Sequence, residues 1–156
     1  MKIPVSLLKN PVHLLSVGFG SGLAPKAPGT FGTIAALPFW YVLQFLPPAY
    51  YVVVLILAFI LGVYLCGATA DALGVHDHGG IVWDEFVGLW IALFMVPMNI
   101  WWIVLGFALF RLFDIWKPWP IRVLDAKVHG GFGIMIDDVL AGVYAYLTLQ
   151  ILYVLS

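Results

Sequence analysis

Five acidic residues lie within apolar segments of the sequence, where an ionisable side chain is costly and usually functional. They are Asp84, Glu85, Asp114, Asp137 and Asp138. The basic residues in the same segments are too few to neutralise all five acids. Oxygen ligands without a Cys/His cluster favour Mg²⁺ or Mn²⁺ over Zn²⁺, and Mg²⁺ held by a few carboxylates is typical of phosphoryl-transfer sites. We therefore predict that these five acids form a Mg²⁺ site.

Two of the acids repeat one spacing. Asp84 is followed four residues later by Gly88, and Asp138 is followed four residues later by Gly142. Residues four apart share a helix face, and a glycine there lets another backbone approach closely. Glu85 points about 100° away from Asp84 on a helix, so one basic partner is a poor match for both. The residues predicted to act in catalysis are Asp84, Glu85, Asp114 and Asp138.

A second constellation has alternating charge in FRLFDIWKPWP. Arg111, Asp114 and Lys117 are three residues apart, which places neighbours in this series side by side on a helix that Pro118 should end. Two interpretations stay open. The cations could hold a phosphate next to a metal, or Arg111 and Asp114 could form an internal salt bridge that makes the arginine tolerable in lipid.

Several loop residues could add to such a site. The glycines in HGGFGIM predict either an anion-binding loop or a tight turn. The predicted phosphate ligands are Lys26, Arg111, Lys117, Arg122, His129 and Gly131. Thr30, in the Pro28-Gly29-Thr30 run, is an alternative covalent nucleophile. His76, Asp77 and His78 are either metal ligands or hydrogen-bonded loop residues.

The composition limits which elements can position these groups. The chain has 156 residues, of which 63% are hydrophobic and only 10% are charged, against about 25% charged in an ordinary soluble domain. This excludes a soluble monomer, a disordered chain and a nucleic-acid binder that relies on phosphate neutralisation. The lone cysteine, Cys66, is expected to be a small buried hydrophobe. We predict a single all-α membrane domain, residues 1–156.

The apolar stretches set the predicted architecture. They are Ile34–Leu46, Tyr50–Ala70, Ile81–Val96, Trp101–Ile115 and Ile134–Leu155. A bilayer core of about 30 Å takes about 20 helical residues, so the first, third and fourth stretches should extend into their flanks or cross a thinned region. The prediction is a polytopic bundle of about four to five membrane helices over 34–156. Residues 1–33 should form an interfacial and loop segment, with Thr30 or Thr33 capping the first membrane helix.

With a turn after each stretch, all charged residues fall at one end of the bundle. The other end contains only short turns and the C-terminus, with no Lys or Arg. The positive-inside rule then makes the charged end cytoplasmic. A transporter needs polar groups near mid-membrane and access from both sides, so a one-sided site at headgroup depth fits chemistry on a lipid headgroup better. Short spans and glycine-bearing faces would permit a homo-oligomer.

The segments PGTFG, DHGGIVWDEFVG, FRLFDIWKPWP and GGFGIMIDDVLAG occur in this order between Pro28 and Gly142. Together with NPVHLLSVGFGSGLAP at the start, they resemble the phosphatidylglycerophosphatase A family of bacterial membrane phosphatases. The resemblance implies Mg²⁺-dependent hydrolysis of phosphatidylglycerophosphate to phosphatidylglycerol and inorganic phosphate in the inner membrane. Two alternatives remain. One is hydrolysis of another lipid phosphate, such as phosphatidic acid, and the other is a non-catalytic ion- or lipid-binding membrane protein or transporter subunit.

Overall fold

The computed structural model describes residues 2–75 and 78–156, and all regular structure in these ranges is helical. The α-helices are α1 (Pro11–Ser16), α2 (Pro28–Leu43), α3 (Pro48–Leu73), α4 (Trp83–Ala92), α5 (Ile100–Trp116), α6 (Ile121–Lys127) and α7 (Gly130–Leu155). Short 3-10 helices at Val5–Lys9 and Gly18–Leu23 flank α1. The predicted all-α class is therefore confirmed.

Two of the helices, α3 and α7, are long and apolar enough to cross a membrane. Each has 26 residues, about 39 Å of helix at 1.5 Å per residue. Large apolar side chains cover their outer surfaces, for example Ile56 and Ile60 on α3 and Ile151 on α7. Such contiguous apolar surface on a small chain indicates contact with lipid or protein.

Helix α4 is the centre of the bundle. Of its ten residues only Ile91 is not buried, and α4 packs against α2, α3, α5 and α7. The helix does not extend into its flanks as expected for the Ile81–Val96 stretch. Met95 has a positive φ of 57° and Pro97 disfavours helical geometry in the residue before it, so the chain leaves the helix early.

Three tryptophans form hydrogen bonds between helices by donating their indole N–H groups to backbone carbonyls. Trp83 Nε1 donates to Ala58 O at 3.0 Å, and Trp90 Nε1 donates to Ala36 O at 3.1 Å. Trp40 Nε1 donates to Leu93 O at 3.1 Å, next to the end of α4 that lies far from its acids. The indole donors are satisfied inside an apolar core, which fixes the relative positions of α2, α3 and α4.

The boundary predicted between loop and bundle at residues 33 and 34 is wrong. Helix α2 begins at Pro28, because proline at the first helical position needs no N–H partner and has its φ preset for a helix. The residue before the helix is Ala27, in the left-handed region at φ 49°, so neither predicted threonine caps it. Thr33 instead donates its hydroxyl to Gly29 O at 2.7 Å, one turn back inside the helix.

The N-terminal segment packs against the charged end of the bundle. Ser16 is fully buried and its Oγ donates to Leu65 O of α3 at 2.8 Å. Ser16 O accepts from Val82 N at 2.8 Å, just before α4. His13 Nδ1 lies 2.8 Å from Thr69 Oγ1. These bonds fix the segment against α3 and the start of α4.

Candidate active site

The five acids converge on one pocket, although they come from three helices. The pocket has a volume of about 320 Å³ and opens at the end of the bundle where α2, α4 and α7 begin and α5 ends. Its charged lining comprises Asp84, Glu85, Arg111, Asp114, Lys117, Asp137 and Asp138. The remaining lining residues are Ala27, Pro28, Gly29, His78, Gly79, Ile81 and Ile134.

The repeated Asp-to-Gly spacing brings two of the acids together. A Cβ built on Gly142 would lie 2.4 Å from Gly88 O, and one built on Gly88 would lie 2.9 Å from Asp138 O. The backbones of α4 and α7 therefore touch where the two glycines meet. Both helices run away from the charged end, so Asp84 and Asp138, each one turn before its glycine, are neighbours.

Three carboxylates form the closest group. Asp84, Glu85 and Asp138 each offer an oxygen, and these three oxygens lie within 4.8 Å of one another. The three residues are between 3% and 8% exposed. Like charges this close and this buried repel strongly unless a cation or protons compensate them.

The donor set fits a hard divalent cation. All three ligand atoms are carboxylate oxygens. Asp138 Oδ2 is buried and has no hydrogen-bond partner among the described residues. A buried carboxylate with such an oxygen, beside two other carboxylates, is well suited to coordination by Mg²⁺ or Mn²⁺.

Arg111 joins α4 to α5 at the edge of this group. Its Nη1 donates to Glu85 Oε2 at 3.2 Å and also forms an ion pair with Asp114, one turn further along α5. The salt bridge left open by the sequence is therefore present, and it links two of the five acids. Arg111 also lies close to the start of α2, since a Cβ on Gly29 would be 3.2 Å from its Nη1. A side chain at position 29 would require the Arg111 guanidinium to shift by a few tenths of an ångström.

Lys117 lines the same pocket from the end of α5. It is the residue after the helix, with φ 53°. The helix ends before Pro118, as predicted, because a proline disfavours helical geometry in the residue before it. Its Nζ pairs with Asp125 of α6 at 3.1 Å, whereas the spacing had placed it beside Asp114. Burial lowers the pKa of Lys117, but the hydrogen bond and charge of Asp125, helped by Asp137 and Asp114, raise it above the ordinary value overall. Lys117 therefore stays cationic at neutral pH.

The structure does not place the other predicted ligands in this pocket. Lys26, Arg122 and His129 are exposed and absent from its lining, and Arg122 donates to Trp116 O. Thr30 follows Gly29 in α2 but is also absent from the lining.

Gly131 has a packing role in the structure. It lies within the first turn of α7, so a glycine loop extending over Gly131 and Gly133 is not present, whereas Gly130 keeps a positive φ of 77° where the chain turns into the helix. A Cβ on Gly131 would lie 1.8 Å from Val63 O. The glycine therefore lets α7 approach α3, because no side chain would fit between the two backbones.

Gly29, which was not predicted as a site residue, also lines the pocket, and so does His78, one of the loop residues left open as metal ligands or hydrogen-bonded residues. Gly29 belongs to a Pro-Gly pair at a helix start, which marks a close approach of backbone to another group. His78 lines the pocket, and its Nδ1 accepts from Gly80 N at 2.9 Å. His76 and Asp77, the other two residues of that trio, lie outside the described residues.

The chain matches known proteins over nearly its full length. Residues 14–153 match the family model described as phosphatidylglycerophosphatase A. A phosphatidylglycerophosphatase A of Escherichia coli (strain K12) is 60% identical over 137 residues, covering 87% of this chain and 80% of the relative. The Haemophilus influenzae (strain Rd) protein of the same name is 55% identical over 143 residues, covering 90% and 87%.

A third relative has a different name. A Bacteroides thetaiotaomicron protein named "Putative phosphatidylinositol-3-phosphatase" is 40% identical over 146 residues, covering 88% of this chain and 91% of the relative. No solved structure matches the chain. Family model and relatives agree with the resemblance carried by the motifs, and the chain belongs to the phosphatidylglycerophosphatase A family.

Proposed function

We propose that this phosphatase hydrolyses the terminal phosphomonoester of phosphatidylglycerophosphate, with Mg²⁺, to give phosphatidylglycerol and inorganic phosphate. The observation that carries the proposal is the convergence of five carboxylates and two cations on one pocket. The names of the Escherichia coli and Haemophilus influenzae relatives support the substrate.

Asp84, Glu85 and Asp138 would hold the metal, with Asp137 and Asp114 at the same pocket to complete or flank its shell. When bound, a divalent cation supplies Lewis acidity that neutralises charge on the phosphoryl oxygens and makes water a stronger nucleophile. The protein would fix the position of the cation, because α4 and α7, which carry the ligands, are in close contact at Gly88 and Gly142.

Arg111 and Lys117 would grip the phosphomonoester. Both line the pocket, and Arg111 is oriented by Glu85 and Asp114 so that its guanidinium stays at the pocket edge. Fixed cations that face the equatorial oxygens stabilise the charge of the transition state without reorganisation.

In the reaction step a water oxygen bonds to phosphorus while the bond between phosphorus and the glycerol oxygen breaks. A pocket carboxylate, Asp137 or Asp114, takes one proton from the water, and that proton passes to the departing glycerol oxygen. Water attack is preferred to a covalent route through Thr30, because Thr30 does not line the pocket.

The bundle would lie in the bacterial inner membrane with the pocket at the cytoplasmic headgroup level. No charged residue occurs in 28–70, 86–110 or 139–156, and these ranges include the whole opposite end of the bundle. Helices α3 and α7 would span fully, while α2 and α5, with 16 and 17 residues, would bring the number of crossings toward four. The ten-residue α4 reaches only about 15 Å and would be buried among them.

The test is phosphate release from phosphatidylglycerophosphate by the purified protein in detergent micelles, with and without EDTA. Asp138→Asn should lower kcat by at least about 10³-fold, since it removes charge from the centre of the metal group. Asp71→Asn, an exposed acid at the same end of the bundle, is the matched control and should keep full activity. EDTA-resistant turnover would overturn the metal role, and full activity of Asp138→Asn would overturn the site.

Phosphatidic acid is assayed beside phosphatidylglycerophosphate to test the alternative substrate. Faster turnover of phosphatidic acid would reassign the reaction to that lipid. Absence of phosphate release from both lipids, in folded protein supplied with Mg²⁺, would favour the non-catalytic ion- or lipid-binding alternative.

A further inference from the structure

A second pocket opens directly beside the carboxylate pocket. It has a volume of about 410 Å³ and shares three wall residues with its neighbour, namely Pro28, His78 and Gly79. The rest of its lining comes from the N-terminal segment, from Gly22–Pro25 and from Gly80. The docked N-terminal segment therefore builds a compartment contiguous with the site.

Close backbone packing forms the wall of this second pocket. A Cβ on Gly22 would lie 2.0 Å from Gly80 O, and a Cβ on Gly80 would lie 2.4 Å from Ile3 Cδ1. Ile3 is buried with Val17 and Leu73 in a small apolar cluster of its own. The two glycines let the loop before α4 lie directly on the N-terminal segment, so this wall of the pocket is closely packed.

The chemistry of the second pocket differs from that of the first. Among the described residues its lining includes Lys2 and His78 but no acid, and the others are apolar or glycine. This described lining therefore offers a divalent cation no carboxylate ligand. One lysine above apolar walls suits a singly charged anion attached to carbon, such as a phosphodiester with its glycerol.

The proposed substrate carries such a group next to the phosphate that is cleaved. Phosphatidylglycerophosphate carries a phosphodiester separated by one glycerol from the phosphomonoester that is cleaved. The Bacteroides relative's name describes a substrate with the same feature, a phosphomonoester on a polyol joined to diacylglycerol through a phosphodiester. Phosphatidic acid has no such diester.

We infer that the second pocket, built from Lys2, Gly22–Pro25 and His78–Gly80, binds the bridging phosphodiester of the substrate while its terminal phosphate lies in the carboxylate pocket. This inference rests on the proposed function. Lys2 and Ala24 are thereby specificity residues, which select lipids that carry two phosphates over phosphatidic acid.

Ala24→Phe tests the inference by filling the pocket, and Lys2→Gln tests it by removing the cation without adding volume. Two inhibitors report binding at the two pockets separately. Inorganic phosphate occupies only the carboxylate pocket, and glycerophosphoglycerol, the deacylated product, presents only the diester. Ala126→Phe, which adds the same ring to an exposed position on α6, is the matched control.

Both variants should raise KM for phosphatidylglycerophosphate and the inhibition constant of glycerophosphoglycerol by about tenfold, the effect of losing one charge-assisted contact. The inhibition constant of inorganic phosphate should stay within about twofold of the wild-type value. Lys2→Gln keeps the test valid if Ala24→Phe does not fold.

Unchanged KM and unchanged inhibition by glycerophosphoglycerol in folded Lys2→Gln would overturn the inference. An equal loss of inorganic phosphate binding would also overturn it, since the two pockets would then not be separate. Failure of the wild-type protein to release phosphate from phosphatidylglycerophosphate would instead overturn the proposed function, so the two failures are distinguishable.

Discussion

Replacing Gly142 by alanine should lower activity by moving Asp84 and Glu85 away from Asp138, although no carboxylate is itself replaced. The added Cβ would lie 2.4 Å from Gly88 O, whereas an ordinary contact begins near 3.4 Å. The obstructing atom is helix backbone and cannot rotate away. Helices α4 and α7 must therefore separate by about 1 Å, and Asp84 and Glu85 move away from Asp138.

The expected cost follows from this displacement. A shift of about 1 Å in a catalytic constellation lowers turnover by about 10²-fold, and overpacking a helix contact costs about 1–3 kcal/mol of stability. We expect kcat to fall by about that factor, and the Mg²⁺ concentration for half-maximal activity to rise, in protein that keeps its helical circular dichroism.

Two other glycine variants serve as controls, because they distinguish the separation of α4 from α7 from the general effect of adding a methyl group. Gly67→Ala adds the same methyl to α3, where its Cβ would lie 3.4 Å from Gly131 N, an ordinary contact. Gly106→Ala overpacks α5 against Leu93 and Leu149, away from the acids. Both should keep activity per folded molecule near the wild-type value. Wild-type activity and Mg²⁺ dependence in Gly142→Ala would refute the prediction that the glycine contact sets the spacing of the carboxylates in the proposed metal site.

The remaining predictions concern the two cations of the pocket. Arg111→Lys should reduce kcat/KM by about 10- to 100-fold, because an ammonium does not reproduce the planar guanidinium that pairs with Glu85 and Asp114. Activity within twofold of wild type would contradict the role of Arg111 in binding the phosphomonoester. Lys117 is protonated below its raised pKa and loses its charge as pH rises through that value, so wild-type activity should persist to alkaline pH. Asp125→Asn removes the main interaction that raises the pKa of Lys117, so the alkaline limb of the pH–kcat/KM profile should move to lower pH. An unmoved limb would show that Lys117 does not bind the phosphate.

The sequence predicted the acidic part of the site well because the cost of burying charge in lipid is a local property of each residue. Asp84, Glu85, Asp114, Asp137 and Asp138 stand out in apolar stretches, and all five line the pocket. The periodicity of four between acid and glycine also described a helix face correctly, since α4 and α7 meet at Gly88 and Gly142.

The basic and loop residues were harder to place because their positions depend on contacts between segments distant in sequence. Arg111 and Lys117 reach the pocket, whereas Arg122 and His129, equally basic or titratable by composition, remain outside it. Nothing local in the sequence shows that Lys117 pairs with Asp125 on a following helix.

The glycines are the residues whose predicted and observed structural roles differ most. A run such as Gly130-Gly131-x-Gly133 reads as a loop because glycine lowers helix propensity, by about 1 kcal/mol per residue relative to alanine. Here that cost is offset by backbone approach, since α7 lies against Val63 O at Gly131 and against Gly88 at Gly142. Packing between helices in a lipid-facing bundle favours small residues for this reason. The same glycines that weaken the local helix signal therefore let the helices come close enough for carboxylates on different helices to face one another.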